Sequence, residues 1–137
     1  MAKKRENSQS IRVVSWEEYD KLVEKLLHNM DYEPESKGIL YGIPRGGLIV
    51  ATCLTHLEES FSLCLIDPKH NNLNRDRYWV IVDDIVDSGA TARPYYDKAY
   101  TVVASLFYRE GASFEPDYYA EKLDSDVWIK FPWERSV

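Results

Sequence analysis

The stretch of this chain best equipped for chemistry is Val80-Ile81-Val82-Asp83-Asp84-Ile85-Val86-Asp87-Ser88-Gly89-Ala90-Thr91. Two adjacent acids follow an apolar run, a third acid comes three residues later, and small or hydroxyl residues close it. The apolar run reads as a buried strand, and open α/β sheets bind ligands at the carboxyl ends of their strands. Ser88-Gly89-Ala90-Thr91 leave backbone N–H groups free to surround a phosphate at a helix entry, where the dipole also favours an anion. Acids beside a phosphate cradle conflict unless the ligand carries hydroxyls as well as phosphate. A ribose phosphate does. Carboxylates accept hydrogen bonds from its two vicinal hydroxyls while the loop holds the 5′-phosphate. The acid pair alone suits a Walker-B or receiver-type strand equally well. A second loop, Tyr41-Gly42-Ile43-Pro44-Arg45-Gly46-Gly47, has glycines that permit close backbone approach and an arginine that offers a charged fork. Its glycine spacing is that of a P-loop, but the chain continues Leu48-Ile49. Without the lysine and hydroxyl a P-loop is excluded.

These loops need a scaffold, and the hydrophobic pattern supplies one. Ser15 reads as an N-cap with Glu18 completing a capping box and Val14 stapling onto Tyr19. Trp16, Tyr19, Leu22, Val23, Leu26, Leu27 and Met30 then recur at helical spacing. From Gly38 the texture alternates between strand, loop and helix. Strands are predicted at Gly38–Ile43, Phe61–Ile66, Tyr78–Val82 and Thr101–Tyr108. Helices are predicted at Leu48–Leu57 and from Ala90–Thr91 onward, with Pro94 tolerable in the first turn. Continuous apolar strands separated by helices indicate a parallel sheet covered on both faces. The tail Asp126–Glu134 reads as a short aromatic strand or hook.

Composition narrows the class further. A formal charge of −6 disfavours a general nucleic-acid binder, since phosphate neutralisation needs a basic surface. Cys53 and Cys64 lie in apolar surroundings without CxxC spacing, which argues against a zinc site or disulfide framework and fits a reducing cytoplasm. No apolar run reaches membrane-span length, and Met1–Asn7 lacks the hydrophobic segment of a signal peptide. The expected organisation is a flexible segment over residues 1–10 and a single domain over residues 11–137.

The twelve-residue stretch resembles the phosphoribosyl-pyrophosphate (PRPP) signature of type I phosphoribosyltransferases, with Ser88 where threonine is more usual. The Tyr41–Gly47 loop resembles that family's pyrophosphate loop, which implies a non-proline cis peptide between Pro44 and Arg45. The tail Asp126-Val127-Trp128-Ile129-Lys130-Phe131-Pro132-Trp133-Glu134 is similar to the C-terminal segment of xanthine–guanine phosphoribosyltransferases, as is Val14-Ser15-Trp16. An aromatic face suits a planar base, although Trp128, Ile129 and Trp133 could instead close the core. The resemblance implies an α/β fold, a central mostly parallel sheet flanked by helices with a small C-terminal hood.

Residue roles follow by position. Asp83 and Asp84 would hold the ribose hydroxyls, with Asp84 the partner of a Mg²⁺ ion, and Ser88, Gly89, Ala90 and Thr91 the 5′-phosphate. Pro44, Arg45, Gly46 and Gly47 would take the pyrophosphate. Asp87 would be the general acid/base. Trp128 and Ile129 would receive the base, with Arg109 standing where the purine enzymes place a lysine; a plain surface charge is the other reading of Arg109. Lys69, Arg75 and Arg77 could reach the diphosphate, His70 is read as a solvated loop residue, and Tyr95, Tyr96, Tyr108, Tyr118 and Tyr119 as packing or a subunit contact.

The implied reaction transfers a 5-phosphoribosyl group from PRPP to a 6-oxopurine, in the cytoplasm, by a homo-oligomer. Its partners are PRPP and a purine base or nucleotide, with neither membrane nor nucleic acid. One departure stands out. Only Asp67–Tyr78 occupies the interval where family enzymes insert a long mobile hairpin that closes over the reacting centre, so turnover rather than binding is in question. The alternatives are a weakly catalytic or non-catalytic PRPP- or nucleotide-binding regulator, or transfer to another base.

Overall fold

The computed structural model describes residues 10–31, 38–70, 78–96, 101–124 and 126–135. Ser15 begins the first helix, α1 (Trp16–Asn29), by accepting the Glu18 N–H at 3.1 Å. The second half of the expected capping box is not made. The Glu18 carboxylate is taken by Arg12, whose guanidinium also reaches Glu121 and lies over the Phe107 ring, 5.3 Å from its centroid. Val14 and Tyr19 are both fully buried, as the staple requires, whereas Trp16 remains exposed.

A five-stranded parallel sheet carries the rest: β2 (Ile39–Gly42), β3 (Ser62–Leu63), β4 (Trp79–Val86), β5 (Thr101–Arg109) and β6 (Tyr118–Leu123), in the order β3-β2-β4-β5-β6. Helix α2 (Gly46–Leu57) joins β2 to β3, and α3, described over Arg93–Tyr96, lies between β4 and β5. Helices α1 and α2 cover one face, burying Tyr19, Leu26, Val50 and Leu54 with Val80, Val82, Ala104 and Leu106. On the opposite face Tyr95 packs with Tyr41, Ile81, Val103 and Phe114. A separate two-stranded sheet pairs β1 (Ile11–Val13) with β7 (Trp128–Lys130) in parallel, joining the two ends of the chain into a hood.

The elements depart from expectation where local pattern and tertiary pairing compete. The strand expected over Phe61–Ile66 shrinks to Ser62–Leu63, because β2 offers it only two register partners; Leu65 and Ile66 then stand exposed. β4 does not stop at Val82 but runs through the acid pair to Val86, because β5 pairs with it that far. α3 starts at Arg93, later than Ala90–Thr91, which leaves the loop open. β1 and β6 were not anticipated. The Arg75, Arg77 and residue 1–9 readings lie outside the described residues, as does the His70 side chain.

Candidate functional site

Chain order and sheet order part company between β2 and β4. From β2 the chain turns one way into β3, and from β4 it turns the other way into β5. The crevice outside the carboxyl ends of such a strand pair is where open sheets bind ligands. Gly42 and Val82 are register partners at this point, and the Ile43 N–H donates to the Val82 carbonyl at 2.9 Å. The glycine loop after β2 and the acid strand are therefore brought side by side.

Two glycines make that approach tight. A Cβ at Gly47 would lie 2.2 Å from the Val82 carbonyl oxygen and 3.0 Å from the Asp83 Cα. One at Gly46 would fall 2.0 Å from Asp84 Oδ2. The Pro44–Arg45 peptide is cis, as the resemblance implied. Pro44 and Arg45 are exposed, and no side chain caps the start of α2. Apart from Gly47, whose N–H donates to the Ile43 carbonyl at 2.8 Å, its first-turn N–H groups and the Arg45 guanidinium can therefore serve an anion. Gly42 is as constrained, since its Cβ would meet the Gly47 carbonyl oxygen at 2.4 Å.

The acid pair sits at an irregularity in β4. Val80 and Val82 pack with Ile85 under α1 and α2, while Ile81 packs with Val86 on the other face. A strict period of two would place Val86 with Val82, so the alternation changes phase across Asp83 and Asp84. There the Asp84 N–H donates to Asp83 Oδ1 at 2.9 Å and the Ile85 N–H to Asp84 Oδ1 at 2.8 Å. Asp83, only 7% exposed, lines a cavity of about 60 Å³ with Ser88, Gly89, Ala90 and Thr91. Asp84 lines a neighbouring cleft of about 120 Å³ with Asp87, Arg109, Trp128, Ile129 and Glu134. Burial first, then the Asp84 charge, pushes the Asp83 carboxyl well above the ordinary carboxylate range; burial raises Asp84 as well.

The Ser88–Thr91 loop is held open by its backbone. Gly89 adopts φ +94°, a conformation that favours glycine, and a Cβ there would meet Ser113 Oγ at 2.3 Å. The Ser113 N–H donates to the Ser88 carbonyl at 2.8 Å, and the Ala90 N–H reaches Ser88 Oγ at 3.2 Å. Nothing in the local sequence signalled Ser113 as the support of this loop.

Around the cleft, Arg109 is no free surface charge. Its Nε donates to Asp87 Oδ1 at 2.6 Å and its Nη2 to the Val127 carbonyl at 2.9 Å. Trp128 is half-buried beside it, whereas Ile129 is buried and belongs to the core. Trp133 stacks on Phe131 at 5.4 Å, so the tail aromatics divide between cleft wall and core. Lys69 is placed over the Tyr95 ring, 5.7 Å from its centroid, and the Tyr95 hydroxyl donates to Asp67 at 2.9 Å. Tyr96 stacks on Phe114, and Tyr108 packs against Tyr119, in line with a packing role. A larger cavity, about 570 Å³, opens between α1 and α2 beside Asp20, Cys53 and His56, and contains none of these loops.

No protein-family model matches the chain. It is 29% identical over 140 aligned positions to the xanthine-guanine phosphoribosyltransferase of Chromohalobacter salexigens, covering 90% of this chain and 84% of that one. The xanthine-guanine phosphoribosyltransferase of Nitratidesulfovibrio vulgaris is likewise 29% identical, with 90% and 85% covered. Among solved structures, a purine phosphoribosyltransferase from Pyrococcus horikoshii superposes with a TM-score of 0.76 at 27% identity, over 94% of this chain and 97% of that chain. In sequence and fold the chain is similar to phosphoribosyltransferases, and its mostly parallel sheet flanked by helices is the type I phosphoribosyltransferase fold.

Proposed function

We propose that the chain transfers the 5-phosphoribosyl group of PRPP to N9 of a 6-oxopurine (guanine, xanthine or hypoxanthine) and releases pyrophosphate. The observation that carries this reading is the meeting, at one switch point, of a glycine loop, an acid pair and a small-residue loop beside an aromatic cleft. In this reading Asp83 and Asp84 accept from the ribose hydroxyls. Ser88, Gly89, Ala90 and Thr91 hold the 5′-phosphate, and the Pro44–Gly47 loop holds the diphosphate. The base enters the cleft against Trp128, with Arg109 and the Ile129 backbone at its edge.

The C1–oxygen bond to pyrophosphate breaks as the N9–C1 bond forms, and positive charge builds on the ribose between the two events. Arg45 faces the leaving diphosphate and stabilises the charge it gains. Asp87, oriented by Arg109, accepts the proton that the purine must lose. The donor set fits magnesium. Two adjacent carboxylates, both raised by burial and Asp83 further by the Asp84 charge, are relieved by a cation, and Mg²⁺ typically takes one or two carboxylates with phosphate oxygens and water. Asp84 would hold it, and the ion would supply neutralisation of the diphosphate charge.

The same reading makes residues 11–137 one domain that works in the cytoplasm on PRPP and a purine, without nucleic acid. No helix among the described residues is long and apolar enough to cross a membrane, and both cysteines are unpaired. Exposed Leu63, Leu65 and Ile66 beside the edge strand β3 support a homo-oligomer.

The deciding experiment offers guanine, xanthine, hypoxanthine, adenine, uracil and orotate with Mg²⁺ and PRPP while following pyrophosphate. Release with a 6-oxopurine supports the proposal, and release with another base moves the specificity. The short Asp67–Tyr78 interval favours a second reading, a PRPP- or nucleotide-binding regulator with little turnover. Tight PRPP binding without pyrophosphate release from any base would establish it.

Two substitutions separate the roles. Asp87→Asn should lower kcat by about 10²-fold or more, the usual scale for a lost acid/base, while PRPP affinity changes little. Collapsed PRPP affinity with an unaltered saturated rate would make Asp87 a binding residue. Trp128→Ala should weaken purine nucleotide binding by about 1–3 kcal/mol, the range for a lost base stack. Calorimetry on a folded variant checks this, and undiminished affinity would reassign Trp128 to packing.

A further inference from the structure

Among the described residues, the hood strands β1 and β7 pair only with each other and share no ladder with the main sheet. Yet β7 carries Trp128 and Ile129, which form one wall of the proposed base cleft. Whatever fixes the hood against the sheet therefore fixes that wall. Val14, Ile129 and Phe131 are buried beneath it, but hydrophobic contact is non-directional. Two arginines add direction. Arg109 holds the Val127 carbonyl, just ahead of β7, at 2.9 Å. Arg12 acts from the other strand of the hood.

Arg12 is the register partner of Ile129, the residue after Trp128. The ladder is closed on both sides of it. The Trp128 N–H donates to the Ser10 carbonyl and the Val14 N–H to the Lys130 carbonyl, each at 2.9 Å. From this paired strand the guanidinium reaches out to the rest of the fold. Nη1 donates to one Glu121 oxygen on β6 while Nη2 donates to the other at 3.1 Å, a bidentate fork, and Nη2 also meets Glu18 in the first turn of α1. Beneath the guanidinium lies the Phe107 ring, 5.3 Å away at its centroid. Phe107 is the register partner of Glu121 on one side and of Ile85 on the other. Ile85 lines the cleft beside Asp84. One row across the sheet thus runs from the cleft to the anchor of Arg12.

The plainer reading of Arg12 is a stabilising ion pair. Its side chain is 30% exposed and those of Glu18 and Glu121 are 36% and 34% exposed, and single pairs so open to water add little stability. What a planar, bidentate fork adds is orientation. We propose that Arg12 is a positioning residue for the purine: by tying the hood to β6 and α1, it sets how closely Trp128 stands over the cleft. The inference rests on the base site proposed above at Trp128. It gives a part in holding the base to the N-terminal strand, which lines none of that cleft.

Arg12→Met keeps an apolar stem over Phe107 and removes the fork. By calorimetry below its Tm, its Kd for guanosine monophosphate should rise about fivefold, the lower end of what a lost base stack costs. Its Kd for PRPP with Mg²⁺ should not move. Arg12→Lys keeps the charge without the fork, and its Kd for the nucleotide should fall between those of Arg12→Met and the unaltered protein. Glu121→Gln should shift the same Kd in the same direction, so the test survives a failure of Arg12→Met to fold. Combined with Trp128→Ala, Arg12→Met should add less than its own loss, because both act on one wall. Unchanged nucleotide affinity in Arg12→Met, with Trp128→Ala damaging, overturns this inference and leaves the proposed function standing. Equal losses of PRPP and nucleotide affinity, or full additivity with Trp128→Ala, would make Arg12 a general clamp on the fold and overturn it too. Undiminished nucleotide affinity in Trp128→Ala would instead bring down the proposed base site and this inference with it.

Discussion

Gly47→Ala is expected to lower Tm by roughly 10 °C and PRPP affinity by roughly a hundredfold, an outcome out of proportion to one methyl group. The methyl would stand 2.2 Å from the Val82 carbonyl oxygen and 3.0 Å from the Asp83 Cα. Both are backbone atoms of a central strand with partners on each side, so no rotamer change can make room. The start of α2 must lift away from β4, at about 3 kcal/mol for overpacking of this kind. That displacement opens the gap between the glycine loop and the acid pair, which the same ligand is proposed to bridge. Gly111→Ala is the control. Gly111 has a positive φ, +98°, and nothing lies within 4 Å of its Cβ position. It should show a modest loss of stability from backbone strain and no change in PRPP affinity. Calorimetry and thermal melts on the two variants check the pair, and equal losses of PRPP affinity would refute the close-approach argument.

A second large effect is expected with the opposite sign. Asp83→Asn should make the protein more stable at pH 8, by up to about 5 kcal/mol, and no more stable at pH 4. Burial, together with the neighbouring Asp84 charge, raises the Asp83 carboxyl from its usual 3.8 to about 8 in the folded chain. The folded state therefore binds a proton that the unfolded state has already released between those values. Stability consequently falls as pH climbs through that window, and below the unfolded value the two states are equally protonated. Asparagine carries no titrating charge, and its side-chain oxygen can still accept from the Asp84 N–H, so it escapes the penalty. Melting curves at pH 4, 6 and 8 read the result. A Tm difference that does not vary with pH would show that Asp83 is not held in a strained ionisation state. The same substitution should weaken PRPP binding, because the ribose hydroxyls need a carboxylate to accept both their hydrogen bonds.

Both effects arise from an arrangement whose parts were legible in the sequence to different degrees. Ser15, Val14 and Tyr19 announce α1 because a cap and a staple are local events between residues a few positions apart. The apolar runs that became β4 and β5 were legible because strands buried on both faces need no alternation. The acid pair, the Ser88–Thr91 loop and the Pro44–Gly47 loop were legible too, since each is a contiguous run whose backbone requirements dictate its residue types. Ser113, by contrast, supports Gly89 from a distant loop, and no spacing rule connects them.

What tertiary structure alone decided is every relation between distant segments. Tyr118–Leu123 carries a glutamate and a lysine and becomes a strand because the edge of β5 offers it a ladder and Arg12 donates to its Glu121. Ile11–Val13 becomes a strand only because Trp128–Lys130 lies beside it. Arg109 read equally well as a surface charge until β5 ended opposite Asp87 and Val127. Ile129, whose backbone is expected at the edge of the base, buries its side chain in the core, while Trp133 comes to lie against Gly46, close to Asp84. The physical reason is one of range. Caps, turns and periodicity are set by neighbours along the chain, so composition and spacing encode them directly. Ladder partners, ion pairs and the phase change at Asp83–Asp84 depend on which surfaces meet after the sheet has formed, and that is settled by burial summed over the whole fold.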